Sequence, residues 1–594
     1  MNTSQFQPER PRIQAGIRCL RPACRLPTLI YFVTSALIES QAINTILKPA
    51  LHSAAVWIVA LSCGLIQASL HAQVETTSAG RPNIVFAFAD DLGRYASIYS
   101  DPSRPSPNDV IHTPNFDQIA MAGVLFQNAL VSVPSCTPSR AAIVSCRHFF
   151  RNGSHSQLHH PWVKGFPDPW DQVRGFPLIL QDAGYHIGWS YKMHISEDRM
   201  GGSQRNYKAH GSRFNSFSQN AMKADDPEAE KAKLLDEVRL NFGDFLADRQ
   251  PDQPFYYWFN PTNTHRAWIQ GSGKKLWNID PDDLLGKLPS FLPDNATVRE
   301  DFADYLGEAQ AFDAAVGVLR EELIACGEWE NTILVVSGDH GAPGFPRGKC
   351  NLYDFGVQVP LAIHWPKHLA AGRRIAAPVS LIDLGPTFLE AAGLEPTADM
   401  DGQSLITAML PSTDTPASGL RQYAIVGREN HVDQARPGGL PYPMRAIRTS
   451  QYLYIINFAP DRWPVAEPPL SAPLAEDMKS RGGSASRRMD IDYGPTRDFF
   501  TEFEGSQSIA KEWELGFAKR PKFELYDVLQ DPDQVNNLAH AGEFQELRQQ
   551  LHTQLMSELQ AGNDPRVIGG GTAFDAPPYA PGDPQRGVIV PPAE

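Results

Sequence analysis

The sequence predicts an α/β protein with a mainly parallel central sheet flanked by helices, followed by a smaller C-terminal subdomain built on an antiparallel sheet. Two buried-strand runs, "NIVFAFADD" (83–91) and "NTILVVSGDHG" (331–341), carry acidic residues at their ends. Helical stretches such as "DFADYLGEAQAFDAAVGVLREELIACG" lie between them, which is typical of parallel strand order. After about residue 395 the chain changes to Pro, Gly and polar loops with the strand-like pieces "PMRAIRTSQYLYIINFA" and "KFELYDVLQDP".

The first 73 residues are interpreted as a leader with an export signal. The 13-residue apolar run "AAVWIVALSCGLI" follows Lys48 and precedes "QASLHAQ", the order of a secretory signal. The run is shorter than the ~20 apolar residues that span a bilayer, so no stable membrane span is expected in the mature chain. A buried helix is the alternative. A second apolar patch upstream, "LIYFVTSALI", is unlike an ordinary signal and indicates an over-extended start site. We expect an exported protein, periplasmic or secreted.

The remaining chain is divided by composition into three parts. Residues 82–395 form the predicted catalytic domain, 396–560 the C-terminal subdomain, and 561–594 a Pro- and Gly-rich tail. Across all 594 residues, 53 Lys and Arg stand against 67 Asp and Glu, giving a net charge of -14. This balance argues against a nucleic-acid partner, because nucleic-acid binding relies on basic surface. An anionic substrate must instead be attracted by a few basic residues in a cleft.

Cys136 is the cysteine that needs a separate explanation. It stands in "SVPSCTPSR", just ahead of a helix whose first turn holds Pro138, where backbone N–H groups point outward. A lone cysteine is more often a small buried hydrophobe than a nucleophile. The C-x-P-x-R pattern with Arg140, combined with the acidic strand ends, favours a catalytic role for Cys136. Ligands of parallel sheets gather at those ends, where four residues fall: Asp90, Asp91, Asp339 and His340.

The strings "CTPSR", "FADDLG" and "SGDHG" together resemble the formylglycine-dependent sulfatase family of the alkaline phosphatase superfamily, over roughly residues 82–540. The resemblance implies that Cys136 is oxidised to an aldehyde by a sulfatase-maturing enzyme, such as a formylglycine-generating enzyme. One hydroxyl of the aldehyde hydrate would attack the sulfur, and the other would expel sulfate as the hydrate collapses. The implied substrate is a sulfated saccharide.

The resemblance also implies one divalent cation at the site. Its ligands would be Asp90, Asp91, Asp339, His340 and the modified Cys136. Hard oxygen ligands favour Ca²⁺, with Mg²⁺ as the second choice, although an imidazole is less typical of calcium. The paired aspartates, taken by themselves, are equally consistent with a turn or a helix cap.

Further segments resemble the catalytic and substrate-binding segments of the family. The catalytic assignments are Arg140 in "CTPSR", Lys192 and His194 in "YKMHISED", His265 in "FNPTNTHRAW" and Lys349 in "GFPRGKCNLYDFG". The runs "NLYDFG", "THR" and "YPMRAIRT" resemble the sulfamidase branch of the family, and the implied substrate-binding residues are Arg266, Glu429, His431 and Arg445. An N-sulfo hexosamine is therefore the first choice of substrate and an O-sulfate ester the second. Each catalytic candidate, taken alone, is more often a solvated surface charge or a satisfied polar residue. For Glu429, His431 and Arg445, polar surface loops are an equally good explanation.

Two positions depart from the family pattern. Ser145-Cys146-Arg147 replaces the usual Thr-Gly-Arg, and Tyr191-Lys192 replaces the usual Gly-Lys. Two other functions stay open at this point. A phosphate mono- or diesterase of the same superfamily would use a similar metal-bound nucleophile and basic clamp. A glycan-binding protein that never matures Cys136 would keep the basic pocket without turnover.

Overall fold

The computed structural model describes residues 80–158, 162–410, 419–432, 435–472 and 489–580. Residues 77–594 belong to one compact unit. The predicted leader, the start-site question and the last part of the predicted tail lie outside the described residues. The division at residue 395 stays a prediction. In the described ranges, no helix has the length and apolar character needed to cross a membrane.

Two sheets and a set of helices make up the described fold. The strands are β1 Asn83–Ala89, β2 Val124–Leu130, β3 His186–Tyr191, β4 Phe255–Asn260, β5 Thr332–Gly338, β6 Gln358–His364, β7 Arg373–Ile375, β8 Val379–Ser380, β9 Tyr423–Arg428, β10 Met444–Thr449, β11 Tyr452–Asn457 and β12 Phe523–Asp527. The helices are α1 Pro114–Ala122, α2 Cys136–Ser145, α3 Phe176–Asp182, α4 Phe217–Ala221, α5 Pro227–Ala247, α6 Ser272–Trp277, α7 Ala296–Ala325, α8 Asp354–Val357, α9 Leu384–Ala391, α10 Ile406–Met409, α11 Pro495–Glu502, α12 Ala510–Phe517 and α13 Gln545–Ala561.

The large sheet has the strand order β3-β4-β1-β5-β6-β2-β7, with β8 also paired to β2. β3, β4, β1 and β5 run parallel, whereas β6 is antiparallel to both β5 and β2. β1 is buried throughout because helices cover both faces. Phe86 and Phe88 pack with α3 and α9 on one face, and Val85 and Ala87 pack with α5 and α7 on the other. The predicted mainly parallel, helix-flanked sheet is confirmed.

The small sheet is antiparallel, with the order β12-β11-β10-β9. The predicted antiparallel sheet is therefore confirmed, and it contains both strand-like runs recognised in the sequence. One face packs against α13, where Leu551, Leu555 and Leu559 recur at helical spacing. Beyond α13, Phe574 is also buried in this core.

Candidate active site

The site is assembled by strand register. Ala89 at the end of β1 pairs with Gly338 at the end of β5, so the residues that follow each strand emerge side by side. These residues are the predicted ligands Asp90, Asp91, Asp339 and His340, and all four are fully buried. Asp91 adopts φ 62°, and its backbone N–H donates a 2.7 Å hydrogen bond to Asp339 Oδ1. The parallel pairing thus brings residues about 250 positions apart into contact.

β3 and β4 extend the same edge of the sheet. Tyr191 pairs with Asn260 at the ends of these strands, so Lys192 and the loop that carries His265 emerge beside β1. The site therefore collects the carboxyl ends of four neighbouring strands, as expected for a ligand site in a parallel sheet.

Cys136 is the first residue of α2 and points into this cluster. Its N-cap, Ser135, is extended, and Cys136 itself is only 1% exposed. Cys136 Sγ lies 3.4 Å from His340 Nε2 and 3.7 Å from Asp91 Oδ1. Burial, together with the nearby Asp90 carboxylate, raises the pKa of the thiol well above its usual value. Unmodified Cys136 is therefore a neutral thiol at physiological pH and a poor nucleophile.

Arg140 lies one turn further along α2 and is fully buried. Its guanidinium donates to Asp339 Oδ2 at 3.1 Å, to Asp90 Oδ1 at 3.2 Å and to Asn260 Oδ1 at 2.7 Å. Burial opposes its charge, but Asp339 and Asp90 raise its pKa, so the side chain stays protonated. Arg140 thus bridges the ends of β1, β4 and β5 beneath Cys136.

Two lysines complete the floor of the site. Lys192 Nζ lies 2.6 Å from Asp90 Oδ2, and Lys349 Nζ lies 3.0 Å from Asp91 Oδ2. Burial opposes the charge of both ammonium groups, yet their carboxylate partners raise both pKa values. The same pairing acts on Asp90, since burial alone would raise the pKa of its carboxyl, but Lys192 and Arg140 hold it well below its usual range.

Two predicted catalytic histidines are more accessible than this floor. His265 has a 33% exposed side chain, and its Nε2 lies 3.9 Å from Asp91 Oδ2. Its Nδ1 lies 2.6 Å from the carbonyl oxygen of Arg266, so Nδ1 carries a hydrogen and Nε2 faces the site. His194 is exposed, and its Nδ1 lies 3.4 Å from Thr137 Oγ1 near the start of α2.

Arg266 contacts structural groups. Its guanidinium forms a paired interaction with Asp301 of α7, with both N···O distances 2.7 Å, and its Nε donates to the carbonyl of Pro343. Thr496 also donates to Asp301. This clamp joins the His265 loop, α7, the loop that leads to Lys349 and the start of α11.

Glu429 and Arg445 lie in a second buried cluster of charges on the small sheet. Glu429 pairs with Arg445 at 2.8 Å and with Arg566 at 2.6 Å, and Arg445 also pairs with Asp564. Both predicted substrate-binding residues are engaged in these ion pairs and are closed to solvent. His431, in contrast, lies next to the site, because its Nδ1 is 2.8 Å from the hydroxyl of Ser135.

Asp492 was missed by the sequence analysis. Its Oδ2 lies 3.0 Å from Lys349 Nζ, and the residue belongs to the segment that connects β11 with β12 of the small sheet. Burial would raise the pKa of Asp492, but Lys349, His265 and His431 hold it far below its usual value. No motif or strand pattern surrounds Asp492 in the sequence, so only its position after the "RRMD" run was available as a signal.

Cys146 and Tyr191, which stand where the family pattern has glycine, adopt a backbone conformation typical of glycine. Cys146 ends α2 at φ 57°, and Tyr191 ends β3 at φ 71°. Both values lie in the left-handed region that glycine enters readily, and other residues occupy it at a cost of about 1 kcal/mol or more. The chain turns of the family are therefore compatible with these two larger residues.

Three overlapping groups of side chains have the spacing of a metal site. They are Asp91, Cys136 and His340; Asp90, Cys136 and Asp339; and Asp90, Asp91 and His265, with the ligand atoms of each group within 4.8 Å of one another. All three groups lie at the same strand ends. The structure thus brings the five predicted metal-site residues together, along with Arg140, Lys192, His265 and Lys349.

Known sulfatases are similar to this chain in sequence and in fold. A model of the sulfatase family matches residues 82–394. The human N-sulphoglucosamine sulphohydrolase is 26% identical over 520 residues, covering 82% of this chain and 91% of that protein. An ulvan-active sulfatase of Formosa agariphila is 25% identical over 519 residues, covering 79% and 74%. A solved complex with the substrate D-glucosamine-2-N,6-O-disulfate has the same fold, with a TM-score of 0.54, 20% identity and coverage of 82% and 98%.

The chain belongs to the sulfatase family. It is an enzyme of the class that hydrolyses sulfuric esters or sulfamates. Its fold is that of the sulfatases, as the resemblance carried by the strand-end acids and the C-x-P-x-R string predicted.

Proposed function

We propose that this protein hydrolyses a sulfate ester or sulfamate on a sulfated saccharide, using a formylglycine made from Cys136 and one divalent cation. The observation that carries the proposal is the position of Cys136. Its Sγ lies within 3.7 Å of both Asp91 and His340, at the first residue of α2 and beside the buried floor that holds Arg140, Lys192 and Lys349. Because burial keeps its thiol neutral, an oxidised and hydrated side chain is a better nucleophile at this position.

The charge of the site supports a bound cation. Four carboxylates, Asp90, Asp91, Asp339 and Asp492, face three permanent cations, Arg140, Lys192 and Lys349. Without a further positive charge this site would repel an anionic substrate. The donor set of carboxylate oxygens, one imidazole and the nucleophile fits a single ion, and oxygen-rich ligation favours Ca²⁺ over Mg²⁺ when the site is irregular.

Asp90, Asp91, Asp339 and His340 would hold the ion. When bound, it supplies Lewis-acid polarisation of the nucleophile and of one sulfate oxygen. The protein itself supplies the remaining positive charge. Lys192, Lys349 and His194 would bind the sulfate oxygens. Arg140 holds the carboxylates of Asp90 and Asp339 and the amide of Asn260 at the ends of three strands.

His265 is the proposed proton donor to the leaving group. Its Nε2 faces the site, whereas Nδ1 is committed to the Arg266 carbonyl. A departing sugar alkoxide or amine is strongly basic and needs a proton in the transition state, and an activated phenolate does not. His265 at the accessible edge of the site is suited to protonate that group.

An N-sulfo hexosamine is the proposed substrate, taken at its non-reducing end, and an O-sulfated sugar is the second candidate. The human relative named N-sulphoglucosamine sulphohydrolase supports the first choice because it is matched over 91% of its length. The ulvan-active sulfatase supports the second. A two-metal phosphatase has less support, because every candidate metal group in the described residues includes Asp90 or Asp91.

Export is part of the proposal, with the mature enzyme periplasmic or secreted and a sulfatase-maturing enzyme as its partner. Sulfated polysaccharides are too large to enter a cell, so an exported location suits their breakdown. The "AAVWIVALSCGLI" run is the sequence feature that supports it.

A panel of defined sulfated saccharides tests the function. The protein is produced with a maturing enzyme, and release of free sulfate is measured from N-sulfoglucosamine, from 6-O-sulfated N-acetylglucosamine and from an aryl sulfate. We expect the highest kcat/KM on N-sulfoglucosamine. Cleavage of O-sulfated sugars alone contradicts the sulfamidase assignment. An aryl phosphate is assayed beside the panel, and its cleavage without sulfate release from any member contradicts the sulfatase function.

The role of His265 is tested by its alanine variant. We expect His265→Ala to slow saccharide cleavage about 100-fold more than aryl sulfate cleavage, because only the sugar needs protonation. Equal slowing of both substrates contradicts a general-acid role.

A further inference from the structure

We propose that Asp492 selects substrates in which hydroxyl groups, and not a second anionic group, surround the sulfate that is cleaved. This inference rests on the proposed function, because it concerns the sugar attached to the bound sulfate. It makes Asp492 a specificity-determining residue at the entrance of the site.

Exposure separates Asp492 from the other carboxylates around Cys136. The side chains of Asp90, Asp91 and Asp339 are completely buried, whereas that of Asp492 is 24% exposed. Lys349 Nζ lies 3.0 Å from Asp91 Oδ2 and 3.0 Å from Asp492 Oδ2. The ammonium group therefore joins the buried floor to a partly exposed carboxylate, of which Oδ2 is itself buried.

The neighbours of Asp492 place it on the leaving-group side. His265 Nε2 lies 3.9 Å from Asp91 Oδ2, the oxygen that also pairs with Lys349. His265 and Asp492 therefore both lie next to the Lys349–Asp91 pair. His265 is the proposed proton donor to the departing sugar, and its side chain is 33% exposed. A sugar whose glycosidic or amino substituent reaches His265 therefore lies within range of the Asp492 carboxylate.

The Asp492 segment is held in place by packing and hydrogen bonds. Met489 and Ile491 on either side of Asp490 are buried in a small core with Phe500 and Phe517. Four residues after Asp492, Thr496 donates to Asp301, which also binds Arg266 of the His265 loop. The carboxylate is thus fixed relative to His265 and does not depend on a free loop.

A fixed carboxylate at this position discriminates by charge. It accepts hydrogen bonds from sugar hydroxyls, which are neutral donors. A second sulfate or a carboxylate on the same sugar would face it as a like charge a few ångströms away. One such charge pair near a protein surface changes binding by about ten-fold or more.

The test compares two glucosamine substrates that differ by one sulfate, N-sulfoglucosamine and D-glucosamine-2-N,6-O-disulfate. The value of kcat/KM is measured for the matured wild type, Asp492→Asn, Asp492→Glu and Asp498→Asn. Dissociation constants for both sugars are measured with Cys136→Ala alone and combined with Asp492→Asn, so that binding is read without turnover. Asp498, which is exposed and pairs with its neighbour Arg497, is the matched control for loss of one charge.

We expect the wild type to prefer the monosulfated sugar by at least about ten-fold, mainly through KM and Kd. Asp492→Asn should reduce that preference about ten-fold, whereas Asp492→Glu and Asp498→Asn should keep it. Melting temperatures identify any variant that fails to fold, and Asp492→Glu then decides, because it retains the charge. An unchanged preference in Asp492→Asn overturns the inference.

Failure of the proposed function has a different result. If the wild type cleaves neither sugar, the substrate assignment is wrong, and the same comparison is made with phenyl sulfate and 4-carboxyphenyl sulfate. A preference for the neutral ring that disappears in Asp492→Asn supports the role of Asp492. Equal preference in both proteins overturns it.

Discussion

Two buried clusters of charge in this protein differ in one respect, their balance. On the small sheet, Glu429, Asp564 and Asp575 face Arg445, Arg566 and Arg462, three acids against three bases, joined by paired hydrogen bonds. Around Cys136, three carboxylates from strand ends of the large sheet and Asp492 from the segment between β11 and β12 face three cations. A balanced cluster needs no ligand, whereas an unbalanced one is completed by a cation. Balance therefore distinguishes charges that hold the fold from charges that bind.

The largest expected effect comes from removing the nucleophile of the unbalanced cluster. Cys136→Ala should lower kcat/KM by at least about 1,000-fold while leaving the melting temperature nearly unchanged, because alanine fits a site occupied by a small buried thiol. In the active wild type, the Cys136 peptide should be about 18 Da lighter than the cysteine form, and activity should follow that fraction. An active preparation with unmodified cysteine contradicts the formylglycine proposal.

The next largest effect is expected from removing the bound cation or one of the carboxylates that would hold it. Chelation of divalent ions should lower both the rate and the melting temperature of the wild type, because the carboxylates then repel one another. Asp339→Asn should reduce activity about 100-fold and make the melting temperature insensitive to chelator. Asp498→Asn controls for charge loss at the surface. If Asp339→Asn keeps full activity and full sensitivity to chelator, the metal assignment is wrong.

Removing one charge from the balanced cluster should lower the free energy of unfolding and leave kcat unchanged. Arg445→Met leaves Glu429 and Asp564 short of one buried cation and should lower the free energy of unfolding by about 3–5 kcal/mol. Arg462→Met, at the partly exposed edge of the same cluster, should cost about 1 kcal/mol or less. Urea unfolding gives both values. Loss of kcat per folded molecule in Arg445→Met, without loss of stability, indicates a substrate role for Arg445.

The smallest effect is expected at Glu308, a buried carboxylate that is hydrogen-bonded to neutral groups. Glu308 on α7 accepts hydrogen bonds from the Ser218 N–H and the Asn263 amide, and burial raises its pKa to about 7. Between these pKa values the folded state holds a proton on Glu308 that the unfolded chain has released. The contribution of Glu308 to the free energy of unfolding is therefore greatest at low pH and falls as pH rises from about 4.5 through 7. Glu308→Gln should remove on the order of 2 kcal/mol of this fall, measured by urea unfolding at pH 5 and pH 8. Glu321→Gln, exposed on the same helix, should leave it unchanged.

The sequence allowed the unbalanced cluster to be predicted because strand ends are local signals. "FADDLG" and "SGDHG" each follow a run of buried residues, and parallel pairing necessarily places such ends together. The assignment of Arg445 and Glu429 to substrate binding illustrates the limit of this reasoning. Their partners Asp564 and Arg566 lie more than 100 residues further along the chain, and no local pattern encodes that pairing.

Asp492 could not be predicted for a related reason. It lies on an irregular segment whose direction is set by Met489 and Ile491 in the small core and by the Thr496 contact with Asp301. Neither interaction leaves a periodic trace in the sequence. The left-handed conformation of Tyr191 was equally invisible, since its sequence neighbours form an ordinary strand.

The burial of Cys136 determines whether its thiol can be reached before or after the chain folds. In the folded protein its sulfur lies beneath groups from β1, β5 and the Lys349 loop, and only 1% of the residue is reached by solvent. Those groups include residues made about 200 positions later, so at ~5–20 residues per second the thiol stays uncovered for about ten seconds or more of synthesis. A maturing enzyme of the kind proposed would therefore act on the nascent or unfolded chain, and the speed of folding would then set the fraction of molecules that become active.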